Sequence, residues 1–221
     1  MKDMIERFEQ DTAEHELNVI VDDGVNRIMK FAKAGTSCYS VSVLQTNNRI
    51  CFTGDMGEFV FVNHNNDMLA WFHGNESLSY IAEKCRAGDK HEYNEAIAKE
   101  SVEMRVNDFC TDYMCEYLDL KYPELDINEL SVSELGSKQG SWETILNIQS
   151  SNNINYENEY TFYQSVSDLE IELNLSSNFT IDISDGLPCR DYTNRFKWCV
   201  AAMNKIAKIY FTEKEVIDDK Q

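Results

Sequence analysis

The hydrophobic period of this chain changes once, near Asp67, and that change sets its fold class. Before it, apolar residues alternate with polar ones in short runs closed by turn residues; after it, they recur every three or four positions. Leu17-Asn18-Val19-Ile20-Val21 reads as a strand, and Asp22-Asp23-Gly24 as the hairpin turn into a return strand from Val25 to Phe31. After the turn Ala34-Gly35-Thr36-Ser37, Tyr39, Val41 and Val43 line one face of a third strand, with Ser40 and Ser42 on the other. Asn47-Asn48 turns into a fourth strand, Arg49 to Thr53. Gly54-Asp55-Met56-Gly57 turns into a fifth, Glu58 to Val62. Neighbouring strands joined by short turns make an antiparallel meander.

Beyond the switch, Asp67 is placed to cap a helix through Met68, Leu69, Trp71 and Phe72. Asn75 or Ser77 caps the next, through Leu78, Ile81, Ala82 and Cys85, ended by Gly88. A long helix is expected from about Glu92 to Leu120. Its apolar face comprises Val102, Val106, Phe109, Cys110, Tyr113 and Tyr117, and Pro123 stops it. Further helices are expected over Ile127 to Leu135 and Ser141 to Ile148. Ser150 to Glu159 is polar and Asn-rich, and Tyr160 to Ile183 fits either helix or strand. Asp185-Gly186-Leu187-Pro188 is a turn. A last helix starts near Thr193 with the stripe Phe196, Cys199, Met203, Ile206 and Tyr210, and a charged, frayed tail follows Thr212.

The expectation is a single α+β domain over residues 1–221, with an N-terminal antiparallel meander packed by C-terminal helices. The sheet takes residues 15–65, helices 66–149, an irregular or variable insertion 150–190, and the C-terminal helix 191–212. Two prolines and nine glycines suit long helices better than an all-β sandwich. No stretch reaches the roughly 18 apolar residues of a membrane span. Met1 to Glu9 is amphipathic and charged, unlike the apolar core of a signal peptide. Seven cysteines at irregular spacing, without an export signal, read as reduced core residues of a cytoplasmic protein. The sequons starting at Asn75, Asn174 and Asn178 then carry no glycan.

No reaction signature emerges, and neither a cofactor nor a catalytic residue is assigned. Cys110 and Cys115 lack a second pair at zinc spacing, and His91-Glu92-Tyr93-Asn94-Glu95 lacks the second His of a zinc-protease helix. Cys38 follows a turn, but no family signature surrounds His15, His64, His73 or His91. Asp22, Asp23, Asp55 and Asp67 all fall at turns. Such carboxylates can hold magnesium, yet Asp also belongs at turns because it bonds nearby backbone N–H groups.

Charge is the more informative property. The chain carries 39 acids against 20 bases, a net charge of −19. A field of that sign repels nucleic acid and anionic lipid, and favours a basic protein partner. Residues 91–135 hold twelve acids and only three bases, a net charge of −9. Within them Asp108, Asp112, Glu116 and Asp119 recur at helical spacing, about 6 Å apart for each four-residue step. They form a stripe opposite the apolar face, and Glu100 joins them as a candidate partner-binding residue. DNA phosphates are spaced comparably, so such a stripe could enter a groove built for nucleic acid. It could equally be a solvated helix face.

One resemblance narrows the setting. His15-Glu16-Leu17, Asp22-Asp23-Gly24, Ala34-Gly35-Thr36-Ser37, Phe52-Thr53-Gly54-Asp55-Met56-Gly57-Glu58-Phe59-Val60-Phe61 and Asp67-Met68-Leu69-Ala70-Trp71-Phe72 follow one another in order. Near the end come Tyr192-Thr193, Phe196 and Trp198-Cys199. Together, over residues 15–85 and 190–210, these resemble a family of uncharacterised phage and prophage accessory proteins marked by a Gly-Asp-Met-Gly hairpin. Family members carry a Trp-Pro-Gly-His turn before the fourth strand. Here Thr46-Asn47-Asn48-Arg49 stands instead, so no role for that His transfers. The resemblance implies a phage-borne accessory protein and brings no catalytic residue.

The expected function is inhibition of a host nucleic-acid-processing defence complex, of the anti-CRISPR kind, in the host cytoplasm. The mechanism would be nucleic-acid mimicry through Glu100, Asp108, Asp112, Glu116 and Asp119, with no direct nucleic-acid or membrane binding. Two alternatives stand beside it: a metal-assisted nuclease or phosphatase using Asp22, Asp23 and Asp55, and a phage structural or assembly protein.

Overall fold

The computed structural model describes residues 2–74, 76–105, 108, 154–176 and 186–218. Its contacts divide the chain into two compact units, residues 1–92 with 192–221, and residues 93–191. The sequence alone predicts one domain over the same length.

The first unit is built on a six-stranded antiparallel sheet in simple order, β1 (Glu16–Asp23), β2 (Asn26–Ala32), β3 (Val41–Thr46), β4 (Arg49–Gly54), β5 (Gly57–Val62) and β6 (Cys85–Ala87). The first five are the meander expected from the alternation. Burial follows the alternation closely: along β2, Arg27, Met29 and Phe31 are buried while Asn26, Ile28 and Lys30 are exposed. A bulge between Val19 and Val21 re-phases β1, so Ile20 has no partner in the ladder. β6 departs from expectation. The helix through Ile81 and Ala82, α3 (Leu78–Lys84), stops one residue short of Cys85, which instead pairs with Phe61. The open edge of β5 supplies the hydrogen bonds that a further helical turn would have made.

Helices cover one face of this sheet. α1 (Lys2–Asp11) contributes Phe8, and α2 (Met68–His73) contributes Met68, Leu69, Trp71 and Phe72. The last helix, labelled α6 (Asn194–Asp218), buries Phe196, Cys199, Met203, Ile206 and Tyr210, the whole stripe read from the sequence. Trp198 sits at the centre of an aromatic group, 5.2 Å from the Phe8 ring, 5.8 Å from Tyr39 and 6.3 Å from Phe52. Truncating one such fully buried ring typically costs about 3–5 kcal/mol.

The helix starts are chemically specified. Ser77 caps α3, its Oγ accepting from Tyr80 N at 3.3 Å. Thr193 caps α6, its Oγ1 accepting from Phe196 N at 3.0 Å. Where a frayed tail is expected after Thr212, α6 runs on to Asp218, and Lys214 Nζ pairs with Asp22 Oδ2 on β1 at 3.1 Å.

The strands β7 (His91–Tyr93) and β8 (Arg190–Tyr192) form a separate two-stranded sheet. In the second unit, residues 95–105 are helical (α4), starting three residues later than expected because 91–93 are extended. Asn94 caps α4, its Oδ1 accepting from Ala96 N at 3.0 Å and Ile97 N at 3.2 Å. α5 (Glu159–Ser176) is a helix inside the stretch expected to be irregular. It buries Phe162, Val166 and Leu169 at helical spacing. The helices expected at Ile127–Leu135 and Ser141–Ile148 lie outside the described residues, as do Val106, Phe109, Tyr113 and Tyr117. Among the described residues no helix is long and apolar enough to cross a membrane.

Candidate functional site

Asp67 and Asp22 converge on a buried cation. Arg27 reaches Asp67 through two parallel hydrogen bonds, Nη1 to Oδ1 at 2.6 Å and Nη2 to Oδ2 at 2.8 Å, while its Nε donates to Tyr210 Oη at 3.0 Å. Tyr210 donates in turn to Asp22 Oδ1 at 2.8 Å. Gln45 Nε2 donates to Asp67, and Gln45 Oε1 accepts from Leu69 N at 2.7 Å. Asp67 also caps α2 through Leu69 N and Ala70 N, each at 3.1 Å. Burial pushes the Asp67 carboxyl upward, but the donors on it outweigh burial, Arg27 foremost, and hold it at about 2. The network ties β2, β3, α2 and α6 together.

The other turn acids act locally. Asp55 Oδ2 accepts from Tyr39 N at 3.0 Å, and Asp23 is exposed at the end of β1. Among the described residues no three His, Cys, Asp or Glu side chains gather as a metal site would require. Asp22, Asp23 and Asp55 are therefore not brought together, and Asp22 is committed to Tyr210, Lys214 and Arg27.

The Gly-Asp-Met-Gly hairpin has a backbone reason for its glycines. A Cβ on Gly54 would run into the Ser40 carbonyl oxygen, which accepts from Asp55 N at 3.2 Å. Gly57 has φ +112°, a conformation that L side chains rarely adopt. The motif closes β4 on β5 and presses that turn against the start of β3.

Five of the cysteines are described, and all are free thiols. Cys85, Cys189 and Cys199 are buried as expected; Cys38 is exposed and Cys51 half-buried, which departs from a core reading for those two. Burial pushes the Cys199 thiol well above its usual range and also raises Cys85. Cys110 and Cys115 lie outside the described residues.

The acidic segment forms the main candidate surface. α4 buries Ala98, Ser101 and Val102 and leaves Glu95, Glu100 and Glu103 exposed; Asp108, also helical, is exposed too. Lys99 pairs with Glu95 and lies over the Tyr156 ring, 5.3 Å from its centroid. Met104, 59% exposed, interrupts the acids. Of the five predicted contact residues, Glu100 and Asp108 are thus on the surface. Asp112, Glu116 and Asp119 lie outside the described residues.

The second unit also has an open groove that the sequence reading missed. It has a volume of about 730 Å³ and is lined by Tyr93, Glu159, Tyr160, Tyr163, Gln164 and their neighbours. Tyr160 is 79% exposed. Arg190 fixes Glu159 by two hydrogen bonds, 2.6 and 2.9 Å. Tyr163 Oη lies 3.2 Å from Cys189 Sγ, and that hydrogen bond with burial pushes the phenol up to about 12. Tyr160 and Tyr163 sit in the stretch whose period fits both helix and strand, so their shared wall is not readable from the sequence.

No protein-family model, curated protein or solved structure matches this chain.

Proposed function

We propose that this chain is a phage-borne acidic binding protein that inhibits a host nucleic-acid-processing defence complex, of the CRISPR type, by occupying a basic channel. The observation that carries the reading is the exposed acid face of α4, with Glu100 and Glu103 outward and Ala98 and Val102 buried behind it; Asp108, helical as well, is also exposed. A helix seated by its apolar side holds its carboxylates on one side, as a mimic of a phosphate row requires. The sequence continues the acids at Asp112, Glu116 and Asp119. The resemblance to phage accessory proteins supplies the setting, and the net charge of −19 supplies long-range attraction to a basic partner.

The test is binding to purified defence effectors at about 50 and about 300 mM salt, where screening differs by more than twofold in length. Inhibition of nucleic-acid loading should weaken with salt and fall at least about tenfold in Glu100→Lys/Asp108→Lys. Undiminished inhibition by that variant would overturn the mimic mechanism.

A further inference from the structure

The face of the sheet away from α1, α2 and α6 carries an unbroken apolar row. Following the register across the strands, Val21 lies opposite Ile28, Ile28 opposite Leu44, Leu44 opposite Cys51, Cys51 opposite Val60, and Val60 opposite Ala87. Val21, Ile28 and Leu44 are 39%, 38% and 44% exposed, unusual for adjacent branched side chains. In a chain of net charge −19 this face is also nearly neutral. Its outward ionisable positions on the five long strands are Glu16, Asp23 and Glu58 against Lys30 and Arg49.

The row beside the apolar one runs Lys30, Ser42, Thr53, Glu58. Its two charges stand three strand spacings apart, roughly 14 Å, too far to pair within one chain. We infer that this face binds a second copy of the chain, through a two-fold axis that runs parallel to the strands between β3 and β4. That operation places β2 over the partner copy's β5 and β3 over its β4, at equal height along the strands. Ile28 then meets Val60 of the second copy, Leu44 meets Cys51, and Lys30 meets Glu58, each contact occurring twice. Thr46 meets Arg49, and no like charges are brought together. The sheet twist opens the corners of such a packing by about 30° and leaves the central pairs in place. The face spans roughly 24 by 20 Å, on the order of 500 Å². A standard interface takes about 800 Å² per partner, so the association is a transient one.

The experiment is sedimentation of the full chain from about 1 to about 200 μM at physiological salt, a range that brackets a micromolar dissociation constant. The wild type should pass from monomer to dimer. Lys30→Glu and Glu58→Lys should each weaken dimerisation at least about tenfold, because each sets like charges face to face twice. Leu44→Lys should do the same. An equimolar mixture of Lys30→Glu with Glu58→Lys should regain the dimer, since both cross-pairs are then opposite in sign. All three positions are exposed, and unchanged circular dichroism confirms that each variant folds. A wild type that stays monomeric throughout, single variants that dimerise like the wild type, or a mixture that fails to recover would each overturn the inference.

Discussion

Arg27 and Asp67, forty positions apart in sequence, meet through two parallel hydrogen bonds of 2.6 and 2.8 Å beside Tyr210 of α6. The guanidinium is 6% exposed and the carboxylate 27%. The pair therefore joins a strand of the meander to the first helix after it, with Tyr210 closing the third side.

Removing the cation should be severe. Arg27→Met leaves Asp67 and Asp22 facing each other without the charge that both bind, and is expected to lower stability by about 3–5 kcal/mol. Arg27→Lys should recover only a fraction, because an ammonium cannot make the paired bonds. Urea unfolding of the wild type and the two variants measures both differences. Equal stability of Arg27→Lys and the wild type would count against the bidentate geometry.

The same pair predicts an acid limb. The Asp67 carboxyl sits at about 2 when folded, below its ordinary 3.8. Its stabilisation is fully present above the unfolded value near 4, and is lost as pH falls through the folded value near 2. The contribution is on the order of 1–2 kcal/mol after allowance for solvent screening. Unfolding free energy measured from pH 5 to pH 2 should fall more steeply in the wild type than in Asp67→Asn.

Gly54→Ala should destabilise the first unit by about 2 kcal/mol or more, since the added methyl meets a backbone oxygen rather than a movable side chain. Gly57→Ala forces an L residue to φ +112° and should cost about 1–2 kcal/mol. Thermal unfolding of the two variants checks the order, with Gly54→Ala the worse.

Thiol labelling should follow burial. Iodoacetamide should modify Cys38 within the first minutes in the native protein and leave Cys199 unmodified until urea is added. Peptide mapping over time gives the order directly. Native-state labelling of Cys199 at the rate of Cys38 would contradict the packing of α6.

Much of the sheet was determined by the sequence alone. Asp23-Gly24, Asn47-Asn48 and Gly54-Asp55-Met56-Gly57 are short-range turn signals, and alternation between them assigns faces without reference to distant residues. The Asp67 and Ser77 caps and the α6 stripe were legible for the same reason: they depend on neighbours within a few positions. So was the exposure of Glu100 and Asp108, which follows from helical phase. Only the tertiary structure decided three other things. Cys85–Ala87 became a strand because β5 offered an open edge, though the segment itself reads as the end of a helix. Glu159–Ser176 became a helix because Phe162, Val166 and Leu169 found a common apolar side, while its composition suited either state. Arg27 found Asp67 and Tyr210, and the row from Val21 to Ala87 was assembled from six strands. These depend on residues brought together across tens to nearly two hundred positions, and local periodicity carries no information about such encounters. The absence of a reaction signature, plain in the sequence, left binding surfaces as the places to look. The fold then separated them: an acid face on α4, and a nearly neutral apolar row on the face of the sheet away from α6.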